Sequence, residues 1–120
     1  QDFWVLLVIP RGLEKPSTAS VYAAFDRRGG EAGFDERRAA LTAALEQVRR
    51  PRDLAALPPN DLVSSPLADE LRGLGAFRAD VTGAGPAVYA LFHHRAKAKA
   101  AQRALKAAGE TWLTAPAWYG

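Results

Sequence analysis

The chain has no cysteine and no methionine in its 120 residues. Without cysteine there is no disulfide framework and no thiolate metal site. Long apolar runs are missing too: none approaches the roughly 20 residues that cross a bilayer as a helix. No basic, apolar leader with a small-residue cleavage pattern precedes Phe3, so the expectation is a cytoplasmic protein with no membrane partner. Even the first position, Gln1, is not methionine. Removal of an initiator methionine normally requires a small second residue, and an apolar strand begins at once at Phe3. The expectation is a fragment of a longer chain.

What is present fits one small domain, residues 1–120, with a modest core: 48% of residues are hydrophobic. The formal charge of +3 is unevenly placed. Arg95, Lys97, Lys99, Arg103 and Lys106 occupy one segment that contains no acid. Removing these five from sixteen leaves eleven basic residues against thirteen acidic ones. The basic character therefore belongs to one helix, and a solvated helix face explains it. Aromatics are not interleaved among these cations and no nucleic-acid motif is present, so no nucleic-acid partner is expected.

Periodicity sets out the elements. Phe3 to Ile9 is continuously apolar and ends at Pro10, as a central strand would. Ser17 suits the N-cap of a helix with Val21, Ala24 and Phe25 inward, stopped by Gly29-Gly30. Asp35 is the expected cap of a second helix, with Leu41, Ala44, Leu45 and Val48 as its inner stripe. Arg49 to Pro59 holds three prolines and a short turn. Ser65-Pro66 starts a helix with Leu67, Leu71 and Leu74 on one face. Phe77 to Val81 and Ala87 to Phe92 read as strands joined by a glycine turn. Arg95 to Ala108 is the last long helix, with Ala100, Ala101, Ala104, Leu105 and Ala108 inward and Gly109 as its stop. Thr111 to Tyr119 is a terminal strand weakened by Pro116. The order, one strand, three helices, two strands, a helix and a strand, predicts an α+β sandwich of ferredoxin-like type. Its sheet would be mostly antiparallel, with helices on one face.

Few residues carry chemistry. The turn Thr82-Gly83-Ala84-Gly85 can bring backbone N–H groups close to an anion, or can simply join two strands. It is not a Rossmann fingerprint, since no helix opens after it, and no Lys-Ser/Thr follows as in a Walker A loop. Thr18 and Tyr22 are four residues apart and share a helix face. Tyr22 lies beside the Val21–Phe25 stripe, where it can pack in the core or meet a ligand. Asn60 and Asp61 suit a turn that leads into a helix. His93 and His94 are adjacent, point to opposite faces of a strand and have no partner at ligand spacing, so no metal site is expected.

Three segments, in order, resemble a known family. They are Pro16-Ser17-Thr18-Ala19-Ser20-Val21-Tyr22, then Asn60-Asp61-Leu62, then Asp80 to Phe92 with its glycine turn, proline, alanine, valine and aromatic. The last resembles the third motif of the GHMP kinases. The first two point, within that superfamily, to the C-terminal domain of 4-diphosphocytidyl-2-C-methyl-D-erythritol kinases, which act in non-mevalonate isoprenoid synthesis. The resemblance implies phosphoryl transfer from ATP with Mg²⁺ to a hydroxyl of a cytidine-diphosphate substrate. It implies that an N-terminal domain of the same polypeptide holds the nucleotide and the catalytic Lys and Asp. The Pro-x-x-x-Gly-Leu-Gly-Ser-Ser phosphate loop of that domain is absent here, so no catalytic residue is assigned to this chain and the chain alone is expected to be inactive. It further implies that Tyr22, beside Thr18, stacks on the cytosine ring. Asn60 and Asp61 would shape the cleft, and Thr82 to Gly85 would lie near the transferred phosphate. Two alternatives stay open: another GHMP kinase, such as a homoserine or mevalonate kinase, and a stand-alone ferredoxin-like regulatory module that binds a small ligand and catalyses nothing.

Overall fold

A computed structural model of the chain describes residues 3–12, 17–60 and 62–116. Four strands form one antiparallel sheet: β1 (Trp4–Pro10), β2 (Arg78–Val81), β3 (Val88–Phe92) and β4 (Gly109–Thr114), in spatial order β2-β3-β1-β4. The four helices are α1 (Thr18–Arg27), α2 (Phe34–Glu46), α3 (Pro66–Gly73) and α4 (Arg95–Ala104), with a short 3-10 turn at Pro51–Ala56. The expected α+β ferredoxin-like sandwich is what forms. The apolar run at the start of the chain is a central strand because it is paired on both edges: Leu6 lies opposite Ala90 on one side and Leu113 on the other.

Alternation along the strands decides the core. Leu6, Val8, Ala79, Val81, Val88, Ala90 and Phe92 are all buried on one face of the sheet, where they meet Ala68 and Leu71 of α3 and Ala98 and Ala101 of α4. Burial of a Leu or Phe side chain contributes on the order of 1.5–3 kcal/mol. The start of α3 follows the sequence closely. The Ser65 hydroxyl accepts a hydrogen bond from the Leu67 N–H at 3.2 Å, and Pro66 occupies the first helical position, where its missing N–H leaves no gap. Ser17 caps α1 in the same manner, through the Ser20 N–H at 3.0 Å.

Several expectations shift. Asp35 does not cap α2; the cap is Gly33 in the left-handed conformation, φ 76°, and Asp35 sits in the first turn, where its charge favours the helix N-terminus. The stripe expected to face inward on α2 is not buried: Leu41 and Leu45 are 42% and 52% exposed. The physical reason is that α2 has no extensive packing against the sheet, whose covered face is taken by α3 and α4. The last helix stops at Ala104, and Ala98, Ala101 and Leu105 line its buried side while Ala100 and Ala104 are exposed. Gly109 is not a helix stop. It opens β4 opposite Pro10, and a Cβ there would lie 2.1 Å from the Ile9 carbonyl oxygen. The strand β4 ends at Thr114 rather than Tyr119, which lies outside the described residues.

Candidate functional site

The glycine turn between β2 and β3 has the shape its residues predict. Gly83 and Gly85 take positive φ, 52° and 82°, and the Gly85–Pro86 peptide is cis. The turn closes on itself through Thr82 N–H to Ala87 C=O and Gly85 N–H to Thr82 C=O, both 2.9 Å. A Cβ on Gly85 would come within 3.2 Å of Val81 Cγ1. Among the described residues neither the Gly83 nor the Ala84 N–H has a hydrogen-bond partner. Two successive N–H groups in such a turn are the elements of an anion cradle.

Two open cavities flank α1. One, about 660 Å³, is lined by Ser20, Val21, Ala24 and Arg28 of the α1 region and by Asn60, Leu62, Val63 and Ser64 of the loop before α3. The second, about 630 Å³, is lined by Tyr22, Phe25, Asp26, Glu31, Phe34, Arg37 and Leu62. Val21 is buried and faces the first cavity, while Tyr22, one position round the helix, is 50% exposed and faces the second. Arginine guanidinium groups frame this region. Arg28 Nη2 donates to the Leu62 carbonyl at 2.7 Å and stands 5.2 Å from the Phe25 ring centre. Arg37 lies 6.0 Å from the same ring and donates to the Gly30 and Ala32 carbonyls. Gly30 is required here, since a Cβ would meet the Phe25 ring at 2.5 Å.

Asn60 joins the cavity loop to the glycine turn. Its Nδ2 donates to Val81 C=O at 2.9 Å and Gly83 C=O at 2.7 Å. Its Oδ1 accepts from the Leu62 N–H at 2.9 Å and the Val63 N–H at 3.3 Å. Its own N–H donates to Asp80 Oδ2 at 2.7 Å. Asp80 is 6% exposed, its Oδ1 accepts from the Val81 N–H at 2.8 Å, and Arg78 Nη2 lies 3.9 Å from its Oδ2. Arg78 in turn donates to the carbonyls of Leu54, Leu57 and Pro58 and to the Tyr89 hydroxyl.

Of the residues singled out in the sequence, Tyr22 lines a cavity and Asn60 and the turn Thr82 to Gly85 come together. Thr18 is exposed on the first turn of α1 and lines neither cavity. Asp61 lies outside the described residues. The His93 ring stacks on Phe77, with centroids 4.1 Å apart. Among the described residues no group of three or more His, Asp or Glu is placed to hold a metal ion. Sequence reasoning missed Phe34, Arg28, Arg37, Arg78 and Asp80. Asp80 had a readable signal, a carboxylate between Ala79 and Val81 in a short strand, which demands partners once buried.

Residues 62–111 match the family model for the GHMP kinases C terminal. Mevalonate kinase from L. major, in complex with R-mevalonate, has the same fold: TM-score 0.70 at 22% identity, over 96% of this chain and 42% of that one. Mevalonate kinase from Methanococcus jannaschii superposes with TM-score 0.58 at 14% identity, over 96% of this chain and 39% of that one. A third mevalonate kinase structure gives 0.52 at 16%, over 95% and 38%. The chain thus spans well under half the length of these structures. No curated protein matches its sequence at a significant level. The sequence match runs from the loop before α3 into β4, and the fold shared with these mevalonate kinases extends over nearly the whole chain.

Proposed function

We propose that this chain is the substrate-binding C-terminal part of a small-molecule kinase that transfers the γ-phosphoryl group of ATP to an alcohol. The observation that carries the reading is the joining of the glycine turn to the cavity loop beside α1 by a single side chain, Asn60. Phosphoryl transfer depends on positioning and electrostatic stabilisation, and such a joint holds an acceptor pocket against a phosphate-approach loop. In this reading ATP and the metal fall to an N-terminal domain of the same polypeptide, with this chain supplying the acceptor side and the turn.

The acceptor we propose is 4-diphosphocytidyl-2-C-methyl-D-erythritol, in the non-mevalonate isoprenoid route. The half-exposed ring of Tyr22, with Phe25 and Phe34 beside it, suits a pyrimidine base. Base–aromatic stacking contributes on the order of 1–3 kcal/mol. Mevalonate is the competing acceptor, since it is the molecule bound in the L. major structure.

The full polypeptide incubated with ATP and Mg²⁺ tests both levels. Phosphorylation of the cytidine-containing alcohol is the expected result. Transfer to mevalonate alone moves the assignment to the second acceptor, and transfer to no alcohol ends the kinase reading. Tyr22→Ala is expected to raise KM for the cytidine acceptor about tenfold, with KM for ATP unchanged and Tyr22→Phe near wild type. A lowered melting temperature with unchanged KM would make Tyr22 a packing residue.

A further inference from the structure

The Asn60 carboxamide uses its whole bonding capacity. Both amide hydrogens go to carbonyls of the β2–β3 connection, Val81 and Gly83, and both oxygen lone pairs go to N–H groups of the cavity loop, Leu62 and Val63. An Asx turn needs only the oxygen half of this pattern. The nitrogen half crosses more than 20 residues of sequence to hold a turn that already closes its own hydrogen bonds. The backbone of Asn60 is fixed as well, by the buried carboxylate of Asp80. Arg78 anchors the same carboxylate to the loop that precedes Asn60.

We propose that Asn60 is a positioning residue that sets the glycine turn relative to the substrate cavity, so that the two move as one body. The kinetic half of this inference rests on the kinase reading; the structural half does not. The atoms divide the test cleanly. Asn60→Asp keeps the oxygen that accepts from Leu62 and Val63 and loses both donors to the turn. Asn60→Ser keeps a short local acceptor without added charge and cannot reach the turn.

Amide hydrogen exchange and kinetics are measured on the same full polypeptide. The reporters of the turn are the Thr82 and Gly85 amides, and the reporters of the cavity loop are those of Leu62 and Val63. In both variants Thr82 and Gly85 are expected to exchange about tenfold faster, while Leu62 and Val63 keep their protection in Asn60→Asp. The acceptor KM stays within about twofold and kcat falls about tenfold or more, the pattern of an interaction that acts in the transition state. Unchanged exchange at Thr82 and Gly85 overturns the inference, and so does a loosened turn with normal kcat. If the wild-type polypeptide phosphorylates no alcohol, the kinase reading falls, and the exchange data alone decide whether Asn60 couples turn to cavity.

Discussion

Phe92 and Leu41 are both large apolar residues, Phe92 at the end of an apolar strand and Leu41 in the stripe that periodicity sends inward on α2. Phe92 is completely buried in the sheet–α3–α4 core, whereas Leu41 is 42% exposed on α2. The difference lies in what each element finds opposite it. The strands β1 and β3 pair with each other and present a continuous apolar face on which α3 and α4 settle. The segment from α1 to the 3-10 turn leaves the chain after β1 and returns before α3, and its helices make no extensive packing against the sheet. Yet that segment contributes to both cavities, with the loop before α3, while no strand of the sheet lines either. One half of the chain holds the fold and the other lines most of the cavity surface.

This contrast is broken most directly by paired truncations. Phe92→Ala is expected to lower unfolding free energy by about 3–5 kcal/mol, the range for a buried aromatic, while Leu41→Ala changes it by about 0.5 kcal/mol or less. Urea denaturation of the two variants checks the pair; equal losses would mean that α2 is packed in solution. Glycines sharpen the same comparison. Gly109→Ala drives a methyl group into the Ile9 carbonyl at the β1–β4 joint and should cost about 1–3 kcal/mol by overpacking. Gly29→Ala in the α1–α2 segment meets nothing within 4 Å and carries only the strain of φ 72°, about 1–2 kcal/mol.

The glycine turn stands between the two regimes. Gly85→Ala is expected to lose about 1–2 kcal/mol of stability, since φ is 82° and the new methyl group presses on Val81. In the full polypeptide it should also reduce kcat/KM by more than the folded fraction explains. Normal turnover per folded molecule would make this a plain hairpin turn.

The smallest effect concerns acid. The Asp53 carboxylate accepts hydrogen bonds from the Arg49 and Arg50 N–H groups, both at 2.9 Å. These bonds hold its pKa below the ordinary value of 3.8. The folded form therefore binds this proton less readily than the unfolded one. The stabilisation is complete above the ordinary value and is lost as pH falls through the lowered one. Melting temperatures of wild type and Asp53→Asn, compared from about pH 6 down to pH 2, should converge at the acid end. A difference independent of pH would assign the effect to the capping geometry rather than to the charge.

The sequence by itself determined the element order, because its signals are local. Ser17 and Ser65-Pro66 satisfy helix-end N–H groups within a few residues. Gly83 and Gly85 permit a conformation that other residues resist. Leu67, Leu71 and Leu74 follow one helix face. It also singled out Tyr22, Asn60 and the glycine turn, through residue types that do chemistry. Tertiary structure alone decided the rest. The α2 stripe looked like a core face because periodicity shows which residues share a side, but not whether anything covers that side. Gly109 looked like a helix stop because close strand approach, rather than a positive φ, is the reason a glycine is needed there, and sequence does not show approach. The Asn60–Asp80–Arg78 network was invisible for the same reason. Its bonds join residues some 20 positions apart, and only the return of the chain beside β2 brings those donors within reach of their acceptors.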